Sequence, residues 1–172
     1  MRTLLKKVVI SVVTYENLSA VQKVVFPNGI TIDIFPAVQE MIFSHRQISG
    51  LSTEAGGMLV GYENAQTGNF TLANATEPQP SDVRTRISLV LRYQHKEQLR
   101  KLQEPYGYIG TWHTHPSATP SPSPVDLRDW EKCIRKNQNC TSALVFIIAG
   151  TETYRVWLCD SRSGKIIEGS LL

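Results

Sequence analysis

The 172-residue sequence predicts an α/β (α+β) fold in which a β-sheet is packed by helices. Three observations carry that expectation. Short apolar or alternating runs recur along the chain at strand spacing. Three segments with helical spacing fall between them, and the composition, 41% hydrophobic and 19% charged, is that of an ordinary globular protein. A chain of this length fits one domain, residues 1–172, and can bury about 70% of its unfolded surface, so it needs no cross-links to stay folded.

The elements follow in order. Arg2, Lys6 and Lys7 stand around the start of the run Val8 to Val13. That run is about half the length of a signal h-region and no A-x-A-like site follows it, so Lys7 to Thr14 reads as a buried strand. Strands over Val21 to Phe26 and Ile30 to Ile34 flank a turn at Pro27-Asn28-Gly29. Pro36 suits the first turn of a helix, and Val38, Met41 and Ile42 continue it to about Gln47, with Gly50 behind it. Gly56 to Tyr62 and Phe70 to Ala73 read as paired strands across the turn-rich stretch Asn64 to Asn69. Residues 75–86, polar and carrying Pro78 and Pro80, read as a surface loop. The charges and leucines from Leu89 to Gln103 predict a helix closed by Pro105 and Gly107. Tyr108 to Thr114 is the next strand. Pro116 to Pro124 holds four prolines in nine residues and must be an extended loop. A helix over Pro124 to Lys136, with Ser123 at its cap, precedes strands over Ala143 to Ala149 and Tyr154 to Leu158.

Lys plus Arg exceed Asp plus Glu by 18 − 15 = +3, too little for the dense basic face of a nucleic-acid binder. No stretch approaches the ~20 apolar residues of a membrane span. Cys133, Cys140 and Cys159 contain no CxxC pair and leave an odd thiol under any pairing, which fits a reducing cytoplasm. Trp112, Trp130 and Trp157 are expected to pack around the sheet, while His45 and His95 read as solvated or locally paired side chains.

The chemistry concentrates in Gly110-Thr111-Trp112-His113-Thr114-His115-Pro116. On a strand, residues two apart share a face, so His113 and His115 present two imidazoles together while Trp112 and Thr114 face away. After seven intervening residues comes Ser123, and three later Asp126, which could return a carboxylate to the pair from the first turn of the following helix. Three protein ligands with a fourth position left to water is the catalytic zinc arrangement. Ser123 and Asp126 also make an ordinary helix start, a Ser cap with an acid at the positive end of the helix dipole. A proton acceptor is still required, and Glu54 is the candidate, just ahead of a strand whose glycines let another backbone approach. The same Glu54 reads equally as a solvated loop acid.

The order Glu54, His113-x-His115-Pro116, Ser123-x-x-Asp126 resembles the JAMM (MPN+, Mov34/PAD-1, prokaryotic JAB) zinc metalloproteases. Glu54-Ala55-Gly56-Gly57-Met58-Leu59-Val60-Gly61 resembles their first-strand motif. The resemblance spans roughly residues 36–158 as the motif-bearing core and leaves 1–35 as less constrained N-terminal strands. It implies a curved mixed sheet between helices, the JAB1/MPN fold, similar to cytidine deaminases, although the deaminase H-x-E and PCxxC motifs are missing. It implies one Zn2+ with a bound water held by His113, His115 and Asp126, with Glu54 as general acid/base and Ser123 stabilising the oxyanion.

Pro78 to Ser88 and Tyr108 to His113 look most like the bacterial single-domain isopeptidases, some of them found in CBASS anti-phage operons. That likeness implies cleavage after the C-terminus of a ubiquitin-like or conjugated protein, in deconjugation or precursor processing. The substrate's extended tail would be bound as an added strand at a free sheet edge. The Gly56-Gly57 strand and the Pro116 to Pro124 loop would border that groove, unless the loop is only a rigid connector to Asp126. Two other readings stay open: a peptidase acting on a small peptide or sulfur-carrier adduct, and a non-catalytic binding scaffold. Substrate identity and oligomeric state are not legible in the sequence.

Overall fold

A computed structural model describes residues 13–15 and 17–172. In chain order the elements are β1 (Val13–Thr14), β2 (Gln22–Val25), β3 (Thr31–Ile34), α1 (Pro36–Ser44), β4 (Gly56–Glu63), β5 (Phe70–Ala75), β6 (Val83–Arg84) and β7 (Leu89–Val90). They continue with α2 (Gln94–Leu99), β8 (Gly107–Thr114), α3 (Pro124–Asn137), β9 (Ala143–Ala149), β10 (Thr153–Asp160), β11 (Ile166–Glu168) and β12 (Ser170–Leu171). One sheet runs in the order β1-β10-β9-β8-β4-β5-β3-β2-β12, with β11 also paired to β10. It is mixed, as expected: β8 with β9 and β3 with β5 are parallel, and the remaining pairs are antiparallel. Register shifts on either side of Val60 mark bulges that bend the central strand.

The unbroken apolar run of β9 follows from its burial on both faces. Val145, Ile147 and Ala149 join Val38 and Ile42 of α1 in one core cluster. Leu144, Phe146 and Ile148 face the other way and pack with Trp130 and Ile134 of α3, where the rings of Trp130 and Phe146 stack at 4.5 Å. All three tryptophans are buried, as their sequence settings suggested.

Several expectations are corrected. The strand over Lys7 to Thr14 lies outside the described residues except for Val13–Thr14, which pair with β10. The first helix ends at Ser44, three residues before Gln47. The segment expected as a helix from Leu89 to Gln103 is helical only over Gln94–Leu99, and its start instead pairs with Val83–Arg84 in a separate two-stranded hairpin. Residues 75–86 are therefore not simply a surface loop. Thr76 and Asp82 are buried, and His95, expected to be solvated or locally paired, is fully buried between them. Its Nε2 lies 3.0 Å from Asp82 Oδ2 and its Nδ1 2.7 Å from Thr76 Oγ1. The same carboxylate accepts the Gln79 and Arg92 amides, so Asp82 staples both ends of the hairpin. The segment departs from the helix its charges suggested because hydrogen bonds to Asp82 and Thr76, rather than helical periodicity, hold it.

No helix among the described residues is long and apolar enough to cross a membrane.

Candidate active site

Three backbone segments converge at the C-terminal end of β8. The two histidines extend from that strand, with His113 opposite Gly56 of β4 and beside Ile148 of β9. Gly56 is required there: a Cβ would come within 2.6 Å of the Trp112 carbonyl and 3.1 Å of the His113 Cβ. Glu54 precedes β4, and its amide donates to the Thr85 carbonyl at 2.7 Å. Asp126 comes from the first turn of α3.

The predicted set meets in space. His113 Nε2 and His115 Nε2 lie 3.1 Å apart. Asp126 Oδ1 is 3.2 Å from the first and Oδ2 3.4 Å from the second. Ligands ~2.0–2.1 Å from one tetrahedral ion stand roughly 3.3 Å from each other, so these three groups already have the spacing of a zinc-type face. Glu54 Oε1 stands further off, 3.9 Å from His113 and 3.8 Å from His115. It is near enough to complete a metal cluster with the histidines, yet too far to replace Asp126 in the tight triangle.

Electrostatics separates the two acids. Burial raises the pKa of Glu54 and neighbouring Asp126 adds to the rise, while the nearby His113 and His115 pull the other way without cancelling it. Asp126 is also opposed by burial, but hydrogen bonds from both histidines, the charge of His113 and the Ser123 contact hold its carboxyl well below the usual carboxylate range. The arrangement sets a carboxyl with a lowered pKa beside two imidazoles, and a second acid with a raised one just outside them.

The proline-rich loop is firmly held. Thr151 N donates to the Ser117 carbonyl at 2.8 Å, the Glu152 and Thr153 amides donate to that of Ala118, and Arg155 donates to the Pro120 carbonyl at 2.9 Å. A side chain at Gly150 would strike the Ser117 and Ala118 carbonyls, both within 2.5 Å. These bonds favour a rigid connector for Ser123 and Asp126. Over Gly56 and Gly57 β4 is laddered to β8 alone, its pairing with β5 beginning at Leu59, and Thr76 stands against the other side at Gly57. The β6–β7 hairpin presents a further edge near Glu54, with its Leu89 over Gly56.

Two residues of the surroundings, Gln47 and Thr85, were not singled out in the sequence. Thr114 offered a signal for one of them. It shares the core face of β8 with Trp112, and a hydroxyl on a buried face must find a partner.

Fold and cluster together define a JAB-domain protein: residues 38–160 match the family described as prokaryotic homologs of the JAB domain, and the chain belongs to that family. Curated relatives narrow the class. A CD-NTase/cGAS isopeptidase of Escherichia coli (strain TW11681) is 32% identical over 120 residues, 67% of this chain and 72% of that protein. The protein of the same name from Vibrio cholerae serotype O1 is 29% identical over 122 residues, covering 68% of this chain and 73% of its own. A third, from Pseudomonas aeruginosa, is 26% identical over 132 residues, 74% of this chain and 82% of that one. A JAB1/MPN domain protein from Archaeoglobus fulgidus shares 13% identity at a TM-score of 0.37, over 77% of this chain and 90% of that one, a likeness too slight to bear on function.

Proposed function

We propose that this protein is a zinc-dependent isopeptidase that cleaves after the C-terminus of a ubiquitin-like or conjugated protein, in deconjugation or precursor processing. The observation that carries the reading is the triangle of His113, His115 and Asp126 at tetrahedral spacing, with Glu54 just outside it. The names of the relatives support the reaction class.

His113, His115 and Asp126 would hold the ion, and the donor set of two imidazoles and a carboxylate suits zinc. When bound, zinc would supply Lewis-acid polarisation and an ionisable water near neutral pH. Glu54, its pKa raised by burial, takes a proton from the attacking water and returns it to the lysine nitrogen as the C–N bond breaks. Ser123 has its hydroxyl oxygen occupied by the Asp126 amide, which leaves the hydroxyl proton free to donate to the carbonyl oxygen. The substrate's extended tail adds to a free edge of the β6–β7 hairpin, whose Thr85 carbonyl accepts the Glu54 amide. Free cysteines fit an intracellular setting, and a role in anti-phage defence follows from the likeness of Pro78 to Ser88 and Tyr108 to His113 to the CBASS isopeptidases.

A cleavage assay tests this on a ubiquitin-like fusion and on a peptide whose C-terminal glycine is joined to the ε-amine of a labelled lysine. Cleavage should stop with a chelator and return with zinc. Cleavage that persists in the metal-stripped protein overturns the zinc mechanism. Zinc bound at one per chain with neither substrate cut overturns the isopeptidase reading in favour of a scaffold, and cleavage of the small peptide alone favours a peptidase.

A further inference from the structure

Behind the two histidines, on the opposite face of β8, runs a buried chain of polar groups that the chemistry above does not use. Thr114 is fully buried and Gln47 is 2% exposed. The Thr114 hydroxyl accepts a hydrogen bond from Ala55 N at 2.9 Å and donates one to Gln47 Oε1 at 3.0 Å. The Gln47 amide nitrogen donates to the Arg86 carbonyl at 2.9 Å and to the Ser52 carbonyl at 3.3 Å. Every bond has one polarity. Both partners of the nitrogen are carbonyls, so turning the amide over would set acceptor against acceptor, and the hydroxyl has a single proton to give.

The ends of this chain lie at the candidate site. Thr114 sits between His113 and His115, and Ala55 follows Glu54. Arg86 follows Thr85, whose carbonyl holds the Glu54 amide at 2.7 Å. Gln47 belongs to neither helix nor strand, and its side chain adds a second tie to the backbone bond by which Thr114 N donates to the Ala55 carbonyl at 2.9 Å. Burying an amide and ordering a long side chain are costly, and an apolar residue would fill the same space without that cost.

We propose that Gln47 is a positioning residue: through Thr114 and Arg86 it locks the hairpin and the Glu54 segment to the strand of His113 and His115, and so sets where the Glu54 carboxylate stands. Thr114 is the other half of the device. The kinetic consequence rests on the isopeptidase reading, whereas the positional one does not.

The test compares Gln47→Met, which deletes the amide, with Thr114→Val, which deletes the hydroxyl, and Thr114→Ser, which keeps it. On the glycyl-lysine isopeptide substrate, Gln47→Met and Thr114→Val should lower kcat by ~10–100-fold at unchanged zinc stoichiometry, because small misplacements of a reacting group cost that much. Thr114→Ser should stay within about twofold of the parent, since only the hydrogen bond is at stake. Amide hydrogen exchange at residues 54–56 and 84–88 should rise in the first two variants and not in the third. A kcat within about twofold of the parent in Thr114→Val, a loss confined to KM, or equal losses in Thr114→Ser and Thr114→Val would each overturn the proposal. If Gln47→Met does not fold, the Thr114 pair decides. If the unmodified protein cleaves nothing, the functional reading fails, and the exchange measurement alone judges the positioning role: unchanged exchange at Glu54 overturns it.

Discussion

Ser123 and Asp126 cap α3 reciprocally: the Ser123 hydroxyl accepts from Asp126 N at 3.2 Å and Asp126 Oδ2 accepts from Ser123 N at 2.6 Å. The two readings of this pair, helix cap and metal-site residues, are therefore not alternatives. Closing the capping box holds the carboxylate so that its other oxygen, Oδ1, lies 3.2 Å from His113. A single set of bonds starts the helix and aims the acid.

Removing either partner should separate the two roles. Asp126→Ala is expected to lower metal-free stability by ~1 kcal/mol and to reduce bound zinc well below one per chain. Ser123→Ala should cost a similar ~1 kcal/mol, retain zinc, and lower kcat by ~10²-fold through the lost donor to the carbonyl oxygen. Denaturant unfolding of the stripped protein and metal analysis check both. Full zinc occupancy in Asp126→Ala would remove Asp126 from the ligand set.

Glu54→Gln tests the proton carrier. The Glu54 contact with the hairpin is made by its backbone amide, so the substitution leaves that bond intact. Zinc content should be unchanged while kcat falls by ~10²–10⁴-fold, the usual worth of general acid–base catalysis. Full turnover in this variant would refute the assignment.

His115→Ala should lose both metal and cleavage. Two remaining ligands cannot hold an ion that needs three protein groups, so titration calorimetry should show no stoichiometric zinc binding. Normal cleavage by a zinc-free His115→Ala protein would end the metal mechanism.

The staple beneath the hairpin has a pH signature. Burial opposes ionisation of Asp82, but the Gln79 amide, His95 and the Arg92 amide hold its carboxyl below the ordinary value. A lowered folded-state pKa stabilises the fold fully above the unfolded value of ~3.9, and this contribution is lost as pH falls through the lower folded value. Asp82→Ala should therefore cost about 3 kcal/mol at neutral pH, because it leaves the buried His95 ring and the partly buried Gln79 and Arg92 amide bonds without their acceptor. The gap from the parent should narrow below about pH 4. A gap that stays constant down to about pH 2 would show that Asp82 ionisation does not contribute.

Legibility in the sequence varied with the physical cause of each element. The run Ala143 to Ala149 appears as a strand at its observed bounds, because burial on both faces writes a continuous apolar signal. Ser123 with Pro124 and Asp126 marks the start of α3 through local capping chemistry. By contrast, β6 and β7 are two residues each, too short to show a period, and β11 and β12 after Leu158 were not anticipated. Glu168 of β11 is held by a bidentate pair with Arg155, a partner 13 residues away that no local pattern announces.

The sequence by itself determined the identities and spacing of Glu54, His113, His115, Ser123 and Asp126, because strand alternation and a helix cap are short-range rules acting within a few residues. Only the tertiary structure decided that Asp126 returns to the imidazoles and that Gln47 and Thr114 link the β6–β7 hairpin to the site. The second outcome depends on hydrogen bonds between segments tens of residues apart, and a bond of that kind leaves no periodic trace in the chain that forms it.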